Sequence, residues 1–169
     1  MSIPELRVGQ GYDLHRLEAG RPLMLGGIEV AAEHGAIGHS DGDVLLHAIV
    51  DALLGAIKAG DIGRRYPDTD MRYAGVSSRV FLKGCAELLR QRGWEVINLD
   101  ATVLLQAPKI APQAAAMEDA IAATLNIEAA RVNVKAKTNE GEDAVGAGRA
   151  IACQAVALVA REGVRPSHR

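Results

Sequence analysis

Cysteine is scarce in this sequence: among 169 residues only Cys85 and Cys153 carry a thiol, and they lie far apart. Because they form no C-x-x-C pair, neither a thiolate zinc motif nor a disulfide framework is indicated. The amino terminus also lacks the basic-then-apolar plan of a signal peptide. We therefore expect two free, buried thiols in a reducing compartment. That compartment is the cytoplasm or, if a transit peptide has been removed, an organelle stroma.

Long apolar runs and excess positive charge are lacking as well. No stretch approaches the roughly 20 apolar residues that span a bilayer, and the formal net charge is −2. Aromatic residues make up 3% of the chain, too few to alternate with basic residues as a nucleic-acid stacking platform requires. We expect no membrane and no nucleic acid as a partner.

Hydrophobic residues are plentiful at 49%, beside 24% charged residues, which is typical of a folded globular chain. We predict one domain over residues 1–169, with an ordered core over about residues 7–160 and short tails. Periodicity predicts helices over residues 44–57, 77–92 and 112–126, and strands over 6–14, 22–30, 94–106, 131–138 and 150–160. Gly26 and Gly27 indicate a turn or bulge inside the second strand, and the alanines of the last strand would also suit a helix. The pattern indicates an α+β fold, with a mixed β-sheet packed against helices.

Two side chains at the end of the first predicted strand are candidate metal ligands. Asp13 and His15 are separated by one residue, so both leave the same face of the strand. Zinc accepts carboxylate oxygen and imidazole nitrogen, and a catalytic zinc site uses three protein ligands. His47, in the predicted helix that follows Ser40, is the candidate third ligand, with Asp51 one turn later as its hydrogen-bond partner. The alternative for this helix is a solvated polar stripe.

Polar residues at other element ends suit a phosphate-bearing ligand. His39 and Ser40 precede the helix, where we take Ser40 as the N-cap, and the free N–H groups of a helix N-terminus attract phosphate. A loop over residues 60–70 mixes carboxylates with arginines, which suits hydroxyl and phosphate recognition or, equally, a solvated turn. The strand over 131–138 leads into Glu140, whose carboxylate suits a hard cation such as magnesium. Together these features predict a metal-dependent enzyme that acts on a phosphate-bearing small molecule.

Five segments together resemble one known family. They are residues 11–15 (G-Y-D-L-H), 39–47 (H-S-D-G-D-V-L-L-H), 61–63 with 66–70 (D-I-G and Y-P-D-T-D), 106–109 (Q-A-P-K) and 133–140 (N-V-K-A-K-T-N-E). Over about residues 7–160 the sequence resembles the 2-C-methyl-D-erythritol 2,4-cyclodiphosphate synthase family of the non-mevalonate isoprenoid pathway, and the H-S-D-G-D-x-x-x-H run is highly specific.

The resemblance implies a phosphorus–oxygen lyase. Its implied substrate is 4-diphosphocytidyl-2-C-methyl-D-erythritol 2-phosphate, and its products are 2-C-methyl-D-erythritol 2,4-cyclodiphosphate and CMP. The resemblance further implies a homotrimer with active sites at the subunit interfaces. One zinc per subunit is implied, together with a second divalent cation, magnesium or manganese, that arrives with the substrate.

Carried over residue by residue, the family's functional positions fall on the matching segments. The implied zinc ligands are Asp13, His15 and His47, and the implied ligand of the second cation is Glu140. Phosphate contacts fall on His39 and Ser40, and methylerythritol contacts fall on Asp61, Ile62, Gly63, Tyr66, Pro67, Asp68, Thr69 and Asp70. The cytidine pocket falls on Leu105, Gln106, Ala107, Pro108, Lys109, Ile110 and Ala111, and the diphosphate contacts fall on Lys137, Thr138, Asn139 and Glu140. The implied catalytic set is Asp13, His15, His39, His47, Lys137, Thr138 and Glu140.

One segment departs from many bacterial members of the family. Those members have a G-F-T-G-R run whose arginine aligns with Ala147, whereas here Arg149 lies two residues later, as in the plant enzymes. The resemblance therefore assigns no role to Arg149.

Two rival functions use the same three metal ligands. A metal-dependent phosphohydrolase would activate water and release inorganic phosphate instead of CMP. A binding or assembly module would use the metal only as a structural staple, so it would have no open coordination position and would unfold in chelator.

Overall fold

Residues 4–162 are described by a computed structural model, and a five-stranded mixed sheet forms their framework. The strands are β1 (Glu5–Ala19), β4 (His34–Ala36), β5 (Glu95–Leu104), β6 (Val132–Lys137) and β7 (Ala150–Arg161), in the order β4-β1-β7-β5-β6. Only β5 and β6 run parallel, and every other neighbouring pair is antiparallel. The expected α+β class and mixed sheet are confirmed, and so is the assignment of the last segment as a strand.

The helices of the described residues are α1 (Val44–Ala56), α2 (Ile62–Arg65), α3 (Arg79–Gln91), α4 (Ala114–Leu125) and α5 (Asp143–Gly146). The long helices α1, α3 and α4 lie on one face of the sheet. The short α5 packs on the opposite face, against Ala150 and Ala152 of β7. Short 3₁₀ turns occur at Met71–Tyr73, Ala111–Gln113 and Ala129–Arg131. The predicted helices 44–57, 77–92 and 112–126 are thus confirmed with ends moved by one or two residues, and the loop over 60–70 contains the short α2. Within residues 4–162, no helix is long and apolar enough to cross a membrane.

The first strand is longer than predicted. Residues 17–19 continue β1 because they pair with β4, a contact that local sequence does not reveal. Asp13 and His15 therefore lie inside β1, opposite Cys153 and Ile151 of β7, and not at its end as expected.

The segment over residues 22–30 is a hairpin and not one strand. Its arms are β2 (Leu23–Leu25) and β3 (Ile28–Val30), which pair antiparallel. Gly26 and Gly27 form the turn, and their φ angles of +62° and +79° favour glycine.

The first long helix, α1, is buried on nearly all sides. Its apolar side chains pack against β1 and β7 on one side and against α3 on the other. Ser40 is not its N-cap as predicted: Asp43 occupies that position, and its carboxylate accepts hydrogen bonds from the backbone N–H groups of Leu46, Gly26 and Gly27. Because Asp43 ties the helix start to the β2–β3 turn, it fixes where α1, and with it His47, lies on the sheet.

Both thiols are buried and free, as expected. Burial raises the pKa of Cys85 to about 12 and also raises the pKa of Cys153. Neither thiol is a nucleophile at neutral pH.

Candidate active site

Three potential metal ligands meet where β1 faces α1. Asp13 and His15 project from β1 on the face that α1 covers, and His47 projects from the first turn of α1. Asp13 Oδ2 lies 2.9 Å from His15 Nε2 and 2.9 Å from His47 Nδ1, and the two ring nitrogens are 3.2 Å apart. Three donors about 2 Å from one tetrahedral zinc ion lie about 3.3 Å apart, so the cluster matches the size and donor types of such a site.

The outer ring nitrogen of each histidine is held by another group. His15 Nδ1 donates a hydrogen bond to the carbonyl oxygen of Ile37 at 2.7 Å, which leaves its Nε2 free for a metal. His47 Nε2 lies 2.8 Å from Ser78 Oγ and 3.1 Å from Ser40 Oγ. The prediction that Asp51 holds the His47 ring is wrong, because the Asp51 carboxylate accepts a hydrogen bond from the backbone N–H of Ile62 at 2.7 Å instead.

The electrostatics favour a charged Asp13. Burial raises the pKa of Asp13, but the hydrogen bonds from His15 and His47 outweigh it and hold that pKa well below its ordinary value. Burial is the largest single effect on His15 and lowers its pKa. The hydrogen bond to Asp13 and the charge of the Asp13 carboxylate both raise it, and together they outweigh burial, so the pKa of His15 is raised overall. A divalent cation can replace the proton shared in this cluster, because it satisfies the carboxylate and both imidazoles together.

This cluster forms part of the wall of a cavity of about 500 Å³. Of the predicted site residues, the lining includes Asp13, His15, His39, Ser40, His47, Ile62, Gly63, Tyr66 and Asp68. His39 and Ser40 lie in the loop before α1 and not at its N-terminus, so their expected position at the helix end is wrong, while their phosphate contact stays a prediction. His39 is nevertheless held at the cavity by a hydrogen bond from its Nε2 to the backbone oxygen of Asp70 at 3.1 Å.

Aromatic side chains that the sequence did not predict as site residues form a further part of the cavity wall. Tyr73 and Phe81 line it, and together with Tyr66 they form a cluster with ring centroids 4.6–5.5 Å apart. Ile37 and Gly38 also line it. No spacing rule in the sequence marks these residues, because they come from separate elements that meet only in the fold.

The remaining predicted residues lie outside this cavity. The segment over residues 105–111 follows β5 and the segment over 137–140 follows β6, and a hydrogen bond from Leu105 N to Lys137 O joins the two. Asn139 lines a different cavity, on the exposed sheet face beside Tyr12 and Leu14. Within one chain these segments therefore form a second cluster, separate from the lining around Asp13.

Two charged groups in this second region are already engaged. The Lys135 ammonium contacts both carboxylate oxygens of Asp100, at 2.5 and 2.6 Å. Glu140 accepts a hydrogen bond from the Thr138 hydroxyl at 2.6 Å. Arg149 is exposed and lines another cavity with Arg16 and His34. Within residues 4–162, Asp13, His15 and His47 form the one cluster of three potential His, Cys, Asp or Glu metal ligands, and Glu140 belongs to no such cluster.

Comparison with known proteins extends over nearly the whole chain. The YgbB family model matches residues 6–160. The 2-C-methyl-D-erythritol 2,4-cyclodiphosphate synthase of Bordetella bronchiseptica is 55% identical over 163 residues, which cover 96% of this chain and 100% of the relative. The structure of IspF from Plasmodium falciparum in complex with CDP has a TM-score of 0.83 at 33% identity, covering 96% of this chain and 100% of that one. The bifunctional IspDF of Campylobacter jejuni has a TM-score of 0.91 at 38% identity, covering 95% of this chain and 44% of that one.

Sequence and fold thus agree with the same kind of relative over nearly the whole chain. The chain belongs to the YgbB family, whose similar members carry the name 2-C-methyl-D-erythritol 2,4-cyclodiphosphate synthase.

Proposed function

We propose that this protein converts 4-diphosphocytidyl-2-C-methyl-D-erythritol 2-phosphate to 2-C-methyl-D-erythritol 2,4-cyclodiphosphate and CMP, a step of isoprenoid precursor biosynthesis. The observation that carries the proposal is the cluster of Asp13, His15 and His47 in the wall of a cavity of about 500 Å³. Such a volume suits a small phosphorylated polyol. Membership in the YgbB family and the names of its similar relatives support the same reaction.

Asp13, His15 and His47 would hold zinc, because one oxygen and two nitrogen donors leave the fourth tetrahedral position free for a substrate oxygen. Bound there, zinc would supply Lewis acidity and a template for a phosphoryl group. Glu140 would hold the second divalent cation, magnesium or manganese, with substrate phosphates providing the other oxygens. The exposure of Glu140, and its absence from any cluster of three potential metal ligands among residues 4–162, suit such a shared site.

The chain's own residues would bind the substrate in a folded shape. His39 and Ser40 would contact its phosphate, and Asp61 to Gly63 with Tyr66 to Asp70 would hold the methylerythritol. Residues 105–111 would line the cytidine pocket, and residues 137–140 would bind the diphosphate. The CDP complex of the Plasmodium falciparum relative supports a nucleotide-linked substrate.

The reaction needs no protein nucleophile. An oxygen of the substrate's 2-phosphate would attack the β-phosphorus, forming one P–O bond while the bond between that phosphorus and the bridging oxygen breaks. CMP would leave with the bridging oxygen and its electron pair. Holding the two phosphates in line can contribute about 7–11 kcal/mol to lowering the barrier. Lys137 would stabilise the charge on the phosphoryl oxygens, whereas Lys135 is already paired with Asp100.

The active sites would lie between the subunits of a homotrimer. Two observations support this arrangement: the cavity residues and the segments over 105–111 and 137–140 form separate clusters in one chain, and one sheet face is exposed and apolar. Leu6, Val8, Tyr12 and Leu14 of β1 and Val156 of β7 are 44–67% exposed on that face. Association would cover this face and bring the segments of one chain to the cavity of the next.

The substitution His47→Ala tests the proposed function. We expect loss of zinc and of nearly all CMP release, with the circular dichroism spectrum unchanged, because His47 supplies one of three ligands. The assay incubates purified protein with the cytidylylated substrate and magnesium and measures CMP and the cyclic diphosphate. His34→Ala is the matched control, since His34 is exposed and outside the cavity. Full activity of metal-stripped His47→Ala protein would contradict the metal-dependent reaction, and inorganic phosphate in place of CMP would indicate a hydrolase.

A further inference from the structure

Behind His47 lies a buried serine whose hydroxyl has an unusual orientation. Ser78 immediately precedes α3 and is fully buried, at 0% exposure. A serine in this position usually accepts a hydrogen bond from the first turn of its own helix. Here the Ser78 side chain makes no capping hydrogen bond, and its hydroxyl turns towards His47 and Asp41 instead.

The donors and acceptors of this group leave one consistent arrangement. Asp41 is a carboxylate and only accepts; its Oδ2 accepts from Ser78 N at 3.0 Å and its Oδ1 accepts from the Ser78 hydroxyl at 2.5 Å. The hydroxyl has a single proton, which is thereby used. Towards His47 Nε2, 2.8 Å away, Ser78 Oγ must act as an acceptor. His47 Nε2 is therefore a donor, and Nδ1, which faces Asp13 Oδ2 at 2.9 Å, is the nitrogen that a metal would take in place of that contact.

We propose that Asp41 and Ser78 are positioning residues that hold the His47 ring with Nε2 protonated and Nδ1 directed at the metal, and thereby set the zinc affinity of the site. The inference rests on the proposed function in one respect, that zinc is the ion held by Asp13, His15 and His47. Neither Asp41 nor Ser78 is one of the three metal ligands: Ser78 contacts His47 on the side away from the other two ligands, and Asp41 acts through Ser78.

The size of the effect follows from what remains when the Ser78 hydroxyl is removed. Ser40 Oγ lies 3.1 Å from His47 Nε2 and could still accept its proton, but Ser40 itself lines the cavity, where a substrate phosphate would compete for it. Asp41 would keep only its backbone donors. Loss of the outer partner of a metal-bound histidine typically weakens metal binding about 10–100-fold.

Ser78→Ala is the direct test, with zinc affinity as the readout. We expect the zinc dissociation constant, measured by competition with a chromophoric chelator, to rise about 10–100-fold. In zinc-loaded protein, the Nε2 proton of His47, followed by nitrogen–proton NMR, should exchange with solvent faster than in the unsubstituted chain. A role limited to packing would change neither quantity. The control is Ser77→Ala, since the neighbouring Ser77 is exposed and, in the described part of the chain, its hydroxyl accepts a hydrogen bond only from Arg79 N, at 3.4 Å.

The outcomes separate this inference from the proposed function. If the unsubstituted chain fails to bind zinc, the proposed metal site fails, and with it the basis of this inference. If that chain binds zinc and a folded Ser78→Ala protein binds it equally well with the same proton exchange, the inference alone is overturned. Should Ser78→Ala not fold, Asp41→Asn is the second test. The asparagine side chain would place its amide N–H against either the backbone N–H or the hydroxyl of Ser78, both of which donate to Asp41. Unchanged zinc affinity in that variant would overturn the inference as well.

Discussion

At the scale of single residues, Asp13, His15 and His47 form a cluster whose members share protons in the metal-free chain, and a bound metal ion would replace those protons. His15 and Asp13 leave the same face of β1 and contact each other at 2.9 Å. Each changes the protonation of the other, since the pKa of Asp13 is lowered and that of His15 is raised. We therefore expect the affinity for the proposed zinc ion and the stability of the metal-free chain to depend on pH through the same pair.

We expect the metal-free protein to lose part of its stability as the pH rises. Because the pKa of His15 is raised on folding, protonated His15 stabilises the fold fully below its unfolded pKa of about 6.5, and this contribution disappears as the pH rises through the raised value. Urea unfolding between about pH 6 and pH 9 measures it. His15→Gln should remove that part of the slope. Identical pH dependence in the two metal-free proteins would refute the expectation.

At the scale of elements, the position of His47 depends on how closely α1 approaches β1. Two glycines of β1 make that approach possible. A Cβ atom added to Gly9 would lie 1.8 Å from the backbone oxygen of Ala52, and one added to Gly11 would lie 1.9 Å from that of Ala48. Since both obstacles are helix backbone, no side-chain rotation can relieve them, and the whole helix would have to move.

Gly11→Ala should therefore push α1 away from β1 and separate His47 from Asp13. We expect a loss of unfolding free energy of about 1–3 kcal/mol or more, as is usual for overpacking, together with weaker zinc binding. Gly55→Ala is the matched control in α1: Gly55 is exposed, nothing lies within 4 Å of its added Cβ, and alanine should stabilise the helix by about 0.5–1 kcal/mol. Urea unfolding and a zinc titration measure both effects, and a Gly11→Ala protein as stable as the unsubstituted chain would be inconsistent with this packing.

The helices and strands also show which parts of the fold the sequence alone predicts. Periodicity predicted α1, α3, β5 and β6 to within one or two residues, because each is long and strongly patterned. The N-cap of α1 was wrongly predicted as Ser40, because Ser40 and Asp43 are both good caps locally and the sequence does not distinguish them. What decides for Asp43 is its contact with the Gly26–Gly27 turn, which is a tertiary interaction.

The residues of the candidate site likewise divide into those that the sequence predicts and those that it does not. Asp13, His15 and His47 were predictable because their residue types and positions bring compatible donors together. Ser78 and Phe81 were not, since a buried serine and a core phenylalanine have no distinguishing pattern in the sequence. Only the packing of α3 against α1 brings them to the ring of His47.

At the scale of the whole molecule, the two faces of the sheet have different environments. The odd-numbered residues of β1 around the metal cluster face α1, whereas its even-numbered residues are exposed. Val8 lies opposite Leu158 of β7 on that exposed face, so apolar side chains of the two strands adjoin there, whereas Tyr12 lies opposite the polar Gln154. A face of this kind on one chain suits contact with further copies, as the proposed homotrimer requires.

Val8→Glu should convert that homotrimer to monomers, because Val8, 67% exposed in the single chain, would place a carboxylate in an apolar contact. Light scattering coupled to gel filtration measures the mass. Zinc binding should persist, since all three ligands belong to one chain, whereas CMP release should fall because residues 105–111 and 137–140 no longer reach a neighbour's cavity. Val80→Glu, at a 49% exposed position on α3, is the control and should change neither mass nor turnover. A monomeric Val8→Glu protein with full turnover would place the complete site within a single chain and contradict the interfacial arrangement.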